Sequence, residues 1–274
     1  MLDILTLVAI LSLLTVALVF SPLGLGGGVL YVPILYYILE WEMQEAVIGS
    51  LTLVFMVSLG SSLSHSKAGY ADKKAANTGR FTAIPSAILG TVVSGILITA
   101  LGDIIIKILA TMVLVFVIER TTTRMRSKDE EAEEEKPLLE NKRNYLVGNA
   151  FAGASSGMLG IGGGAILVTI NRSILKMDAR KAAGTSFLVA ATIVPVAIIS
   201  HIILDGVTGN LIERIGIIPI IIILLGISVG IYSVIYSYYF TSTLRLYYTW
   251  KYLSIIVCFV FTLVGIYIVK NHKV

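Results

Sequence analysis

Two glycine runs, Gly24-Leu25-Gly26-Gly27-Gly28 and Gly160-Ile161-Gly162-Gly163-Gly164, offer the clearest chemistry in the chain. Each precedes a short apolar segment. A helix starting there presents unpaired amides and about half a positive charge, which together attract anions. Glycine has no side chain to block close approach. Gly26, Gly27 and Gly28 in the first run, and Gly162, Gly163 and Gly164 in the second, are therefore candidate anion-binding residues through their N–H groups. Close helix packing through small residues is the competing use of such positions. Neither run contains Lys or Arg. An anion held there rests on amides and hydroxyls, a weak grip that suits release.

Hydroxyls follow at matched positions. Ser50, Thr52, Thr185 and Ser186 open the next two apolar segments. They can donate to an anion, or cap and back-bond their own helices. Ser58, Ser61, Ser62 and His65 form a polar stripe at near-helical spacing, and His201 ends the corresponding segment of the second half. Histidine titrates near neutrality, so His65 and His201 are candidates for proton coupling, with an interfacial position at a helix end as the alternative. The Gly-x-Gly spacing also occurs in dinucleotide-binding loops, but those need a soluble strand–turn–helix unit that no segment here can build. No zinc-ligand spacing, catalytic triad or P-loop occurs, and Cys258 is the single cysteine. No metal, cofactor or enzymatic activity is implied.

The elements that must position these residues are membrane segments. Hydrophobic residues make up 56% of 274 and charged residues only 14%, too little charge to solvate a soluble domain of this length. The net charge of +4 is modest and reports basic loops rather than nucleic-acid binding. The first half reads as segments 3–22, 29–39, 46–65, 80–100 and 104–118, with Asp103 as an N-cap for the last and residues 66–79 as a polar loop. Segment 29–39 covers about half of a ~30 Å hydrocarbon core. Residues 119–144 are hydrophilic and dense in Lys and Glu, a composition that cannot bury a core. The pattern then restarts as 145–159, 165–175, 182–201, 215–236 and 250–269. Lys107 is expected to snorkel outward and Cys258 to pack as a small apolar residue.

The restart is a repeat. From Gly24 to Gly160 is a spacing of 136, and at that spacing Ser50 meets Ser186, Ser64 meets Ser200, His65 meets His201 and Gly90 meets Gly226. Agreement at polar positions marks an internal duplication. If the segment before and the segment after each glycine run form one in-and-out hairpin, 17 of the 21 Lys and Arg fall on one side, which the positive-inside rule makes cytoplasmic. The outer side then carries Glu40, Glu42, Glu45, Asp205 and Glu213. The halves would be inverted, with the two runs approaching each other from opposite faces, as in many secondary transporters. The expected architecture is an all-α membrane protein of two inverted repeats of about five helical segments, each with a glycine-broken hairpin. Residues 1–119 form the first repeat, 120–144 a charged cytoplasmic linker and 145–274 the second repeat.

The stretch Gly24 to Pro33, Gly-Leu-Gly-Gly-Gly-Val-Leu-Tyr-Val-Pro, resembles the repeat signature of the TauE/SafE sulfite exporter family, also called the toluene sulfonate uptake permease family. Gly160 to Thr169 is similar to a second copy, with Thr169 where the signature has Pro. Ala46 to Leu51 and Ala182 to Phe187 resemble that family's Ala-x-Gly-Thr-Ser pattern, with Gly49-Ser50 in place of Thr-Ser in the first copy. The resemblance implies a multi-pass transporter of the cell membrane whose partners are the lipid bilayer and a small, sulfur-containing or organic anion. It is compatible with a homo-oligomer. An anion channel using the same loops as a filter is the alternative.

Overall fold

Helices account for the elements of the chain wherever it can be described. The computed structural model describes residues 4–21, 24–126 and 135–205. Within them lie α1 (Ile4–Phe20), α2 (Gly28–Tyr37), α3 (Met43–Lys67), α4 (Lys73–Leu101), α5 (Ile104–Arg126), α6 (Lys142–Leu159), α7 (Gly164–Ile174) and α8 (Ala179–Asp205). No strand occurs among the described residues. The two expected segments beyond Asp205, and with them Gly226, Glu213 and Cys258, lie outside the described residues.

Helices α3, α4 and α8 are long and apolar enough to cross a membrane. The outward face of α4 carries Phe81, Leu89, Val93 and Ile96, all exposed. A continuous apolar face of this kind needs a non-aqueous surround. Helices α2 and α7 are short, 10 and 11 residues. At ~1.5 Å per residue each spans about half the hydrocarbon thickness. Both begin where the glycine runs end.

Several element bounds differ from the expectation, for local reasons. The loop expected over 66–79 is shorter, because Asp72 Oδ1 accepts from the amides of Lys74 and Ala75 at 2.9 Å and starts α4 at Lys73. Glu45, expected in an outer loop, lies in the first turn of α3 and is buried. Glu42 and Glu45 form a reciprocal capping box, with the Glu42 amide donating to Glu45 Oε2 at 3.3 Å. Helix α5 runs on to Arg126, into the start of the charged stretch.

Helices from the two halves of the sequence interleave. Helix α3 packs along α8, and α4 packs along both α6 and α8. The α4–α6 crossing depends on small residues: a Cβ on Gly153 would strike the carbonyl of Ala83, and one on Gly157 the carbonyl of Ala87. Backbones approach this closely only where side chains are absent, a common device between membrane helices.

Candidate functional site

The two glycine runs meet at the buried centre of this interleaved bundle. All of Gly26, Gly27, Gly28, Gly162, Gly163 and Gly164 are buried. A Cβ on Gly28 would collide with the backbone of Ile161, and one on Gly164 would lie 2.8 Å from the carbonyl oxygen of Leu25. Leu25 and Ile161 are themselves equivalent at the spacing of 136. The contact is thus reciprocal between equivalent positions of the two runs.

Each run uses glycine where the backbone demands it. Gly27 and Gly163 sit at the N-caps of α2 and α7 with φ of 83° and 68°, a region that side-chain-bearing residues rarely adopt. Neither helix start has a side-chain cap. In α2 the amides of Leu30 and Tyr31 reach the Gly27 carbonyl, and in α7 the amide of Leu167 reaches that of Gly163. The amides of Gly28, Val29, Gly164 and Ala165 meet no acceptor among the described residues. Two helix N-termini are therefore buried together with donors available, and Val54 lies beside both Gly26 and Gly162.

The flanking hydroxyls take different roles from one another. Ser50 Oγ donates to the Gly160 carbonyl at 2.7 Å and lies 3.3 Å from that of Gly28. Ser186 Oγ donates to the Gly24 carbonyl at 3.1 Å and to Ala183 at 2.8 Å. Each serine thus ties its helix to the glycine run of the opposite half. Thr185 Oγ1 accepts from the Asp72 amide at 2.9 Å, away from the runs, and Thr52 back-bonds to Ile48.

Other hydroxyls have no partner among the described residues. Ser58 Oγ and Ser156 Oγ are buried and unbonded among the described residues. Ser58 follows Val54 by one turn on the same face of α3. Ser156 lies in the last turn of α6, where its carbonyl accepts from the Gly160 amide at 3.1 Å. A buried hydroxyl is normally paired, so these two are candidates for a polar partner from outside the described residues. Ser156 was invisible to spacing arguments, since its counterpart in the first half is Phe20.

The two histidines are buried rather than interfacial. His65 Nδ1 lies 2.9 Å from the Ser61 carbonyl oxygen, and its ring packs on Phe187 with centroids 5.7 Å apart. His201 Nδ1 lies 2.7 Å from Asp205 Oδ2, and its Nε2 lies 2.6 Å from the Gly157 carbonyl oxygen. Asp205, expected in an outer loop, instead closes α8 with its side chain 5% exposed. The i,i+4 spacing of His201 and Asp205 was the sequence signal for this pair. Their equivalents, His65 and Gly69, cannot form it.

Lys107 is half-buried and pairs with an aromatic side chain at the end of α2. Its Nζ donates to Tyr36 Oη at 3.0 Å and lies 4.2 Å over that ring. It lines an open cleft of about 670 Å³ at the far end of α2, with Glu40, Glu42 and Asp103. None of the loop glycines lines this cleft. No group of three or more His, Cys, Asp or Glu side chains among the described residues is arranged to hold a metal.

Comparison with known proteins agrees with this architecture. The family model described as Sulfite exporter TauE/SafE matches residues 8–268, nearly the whole chain. No curated protein and no solved structure matches.

Proposed function

The chain belongs to the sulfite exporter TauE/SafE family of membrane transporters, and from that premise we propose that it carries a small sulfur-containing anion across the cell membrane by alternating access. The observation that carries this reading is the meeting of two uncapped helix N-termini at Gly28 and Gly164, buried and in reciprocal contact. Converging N-termini hold a tetrahedral oxyanion without a counter-ion of full charge. The same construction, half-helices meeting near the midplane, serves anionic cargo in secondary transporters with inverted repeats. Residues 1–119 and 145–274 are the two repeats, inverted in the membrane, and 120–144 is the cytoplasmic link between them. The reciprocal pairs Ser50–Gly160 and Ser186–Gly24 support a two-fold relation of the halves. The chain crosses the membrane several times, and α2 and α7 reach only part-way.

Purified protein in liposomes tests the reading. Sulfite, thiosulfate, sulfoacetate and simple carboxylates are offered in turn. A carrier gives saturable flux and counter-flow of labelled anion against unlabelled anion for at least one sulfur anion. Saturable binding should also raise the melting temperature. Flux that neither saturates nor shows counter-flow identifies an open pore instead, and absence of flux for every anion rejects transport.

A further inference from the structure

His201 is flanked by two acceptors. Its Nε2 faces the Gly157 carbonyl oxygen on α6, which can only accept, so Nε2 carries a hydrogen. Its Nδ1 faces Asp205 Oδ2 at 2.7 Å. That second contact also needs a proton, whether it sits on the ring as Nδ1–H donating to a carboxylate or on the acid as O–H donating to a bare Nδ1. Both arrangements hold one proton between the two side chains and leave the pair neutral overall. Without it, a lone pair on Nδ1 would face a carboxylate, or a lone pair on Nε2 would face a carbonyl. One of the two contacts must then break, and a buried carboxylate is left without its partner charge.

We propose that His201 and Asp205 form a proton-binding site, and that its proton is coupled to anion passage. The link is α6. Gly157, held by His201, and Gly160, held by Ser50, lie in and just beyond the last turn of that helix. Three residues separate them, about 4.5 Å along the axis. Loss of the proton releases the end of α8 from the segment that carries the second glycine loop. Charge acts in the same direction, because a neutral pair admits an anion nearby and a bare carboxylate repels one. Proton and anion therefore move together. This inference rests on the transport reading.

No other charged group competes at this point among the described residues. Helix α4 presents Gly95, whose Cβ position is 3.3 Å from Asp205 Oδ1. Its charged residues, Lys73, Lys74 and Arg80, lie in its first turns, more than a dozen residues before Gly95, and Arg80 is engaged with Leu188 and Asn77. The last turns of α6 contain no titratable residue. On α3, Glu45 is held in its capping box, His65 packs on Phe187 towards the start of α8, and Lys67 ends the helix beside it. On α7, the charged residue is Arg172, near the start of α8.

Two measurements test the proposal. The first is thiosulfate uptake into liposomes with the membrane voltage clamped and a pH gradient imposed; this anion does not titrate near neutrality. The wild type should accumulate it toward the alkaline side, and Asp205→Asn should lose at least tenfold of that accumulation while retaining downhill flux. An Asp205→Asn variant that accumulates thiosulfate like the wild type overturns the coupling. The second is the ¹⁵N spectrum of histidine-labelled protein at neutral pH, with the His201 signals assigned by their loss in His201→Gln. Wild-type His201 should keep a hydrogen on Nε2, with Nδ1 either carrying a hydrogen or accepting one from the Asp205 acid, and Asp205→Asn should lose that shared proton and leave Nδ1 bare. A bare Nε2 in the wild type, or a bare Nδ1 that accepts no hydrogen bond, overturns the proton site even if transport stands. If thiosulfate does not move at all, the transport reading fails for that anion, and the spectrum still decides the proton site.

Discussion

Ser50 Oγ donates to the carbonyl of Gly160 at 2.7 Å, joining a helix of the first half to the glycine loop of the second. Its counterpart, Ser186, does the same in reverse, to Gly24 at 3.1 Å. Both hydroxyls are fully buried. They spend their protons on loop carbonyls, so in the proposed transporter they act on an anion only indirectly, by fixing the loops.

Removing either hydroxyl should therefore act on stability first. Ser50→Ala leaves a buried carbonyl without its donor, which costs about 1–3 kcal/mol. Ser186→Ala should cost about the same. The double variant should deviate from the sum by at least about 0.5 kcal/mol, because both bonds cross one interface. Thermal unfolding in detergent measures this. Single variants melting with the wild type would remove the serines from this role.

Glycine at the loops can be separated into shape and strain. Gly164 is the first helical residue of α7 and needs no positive φ, yet a Cβ there would lie 2.8 Å from the Leu25 carbonyl oxygen and 2.9 Å from that of Gly24. Gly69 has φ of 76° and nothing within 4 Å of its Cβ position. Gly69→Ala should cost only the left-handed strain, about 1–2 kcal/mol, and leave flux unchanged. Gly164→Ala has no flexible side chain to push aside, so the two loop backbones must separate. It should lose most transport and melt lower than Gly69→Ala. Equal behaviour of the two variants would show that the loops do not need their close approach.

Local chemistry made much of this legible in advance. Unpaired glycines in apolar surroundings announced the starts of α2 and α7 to within a residue or two. The spacing of 136 paired Ser50 with Ser186 and His65 with His201 before any contact was visible. What the sequence withheld was tertiary. Nothing local distinguishes Ser50, occupied by a carbonyl, from Ser58, which has no partner among the described residues. Asp205 read as an outer-loop acid because a charge at the end of an apolar run usually meets water. Its pairing with His201 depends on α6 bringing a carbonyl to the other side of the ring. Residues 73–79 read as loop for their polarity, and the Asp72 cap that makes them helical is a single side chain.

The end of the charged stretch is held by Lys181. Its Nζ lies 2.7 Å from Glu135 Oε1 and 3.6 Å from Asp72 Oδ2. All three side chains are about a third to a half exposed, so solvent screens the network. Lys181→Met should cost under about 1 kcal/mol at low salt. The difference from the wild type should vanish near 1 M NaCl, where the screening length falls to ~3 Å. Melting curves at the two salt concentrations decide it. A loss that persists in high salt would mean that the methylene stem, rather than the charge, holds the contact.

Ser58 and Ser156 separate binding from folding. Their hydroxyls are buried without a partner among the described residues, so Ser58→Ala and Ser156→Ala remove no bond seen there. Each variant should melt at the wild-type temperature or slightly above it. If the hydroxyls donate to the anion near the glycine loops, each loss should weaken a charge-assisted bond of about 1.5–3 kcal/mol. That corresponds to a rise of roughly ten- to a hundredfold in KM for the transported anion, since each 1.4 kcal/mol is tenfold. Maximal flux should change less. The contrast with Ser50→Ala is the useful one: a stability loss there, an affinity loss here. Wild-type KM in both Ser58→Ala and Ser156→Ala would place the anion elsewhere and leave the glycines as packing alone.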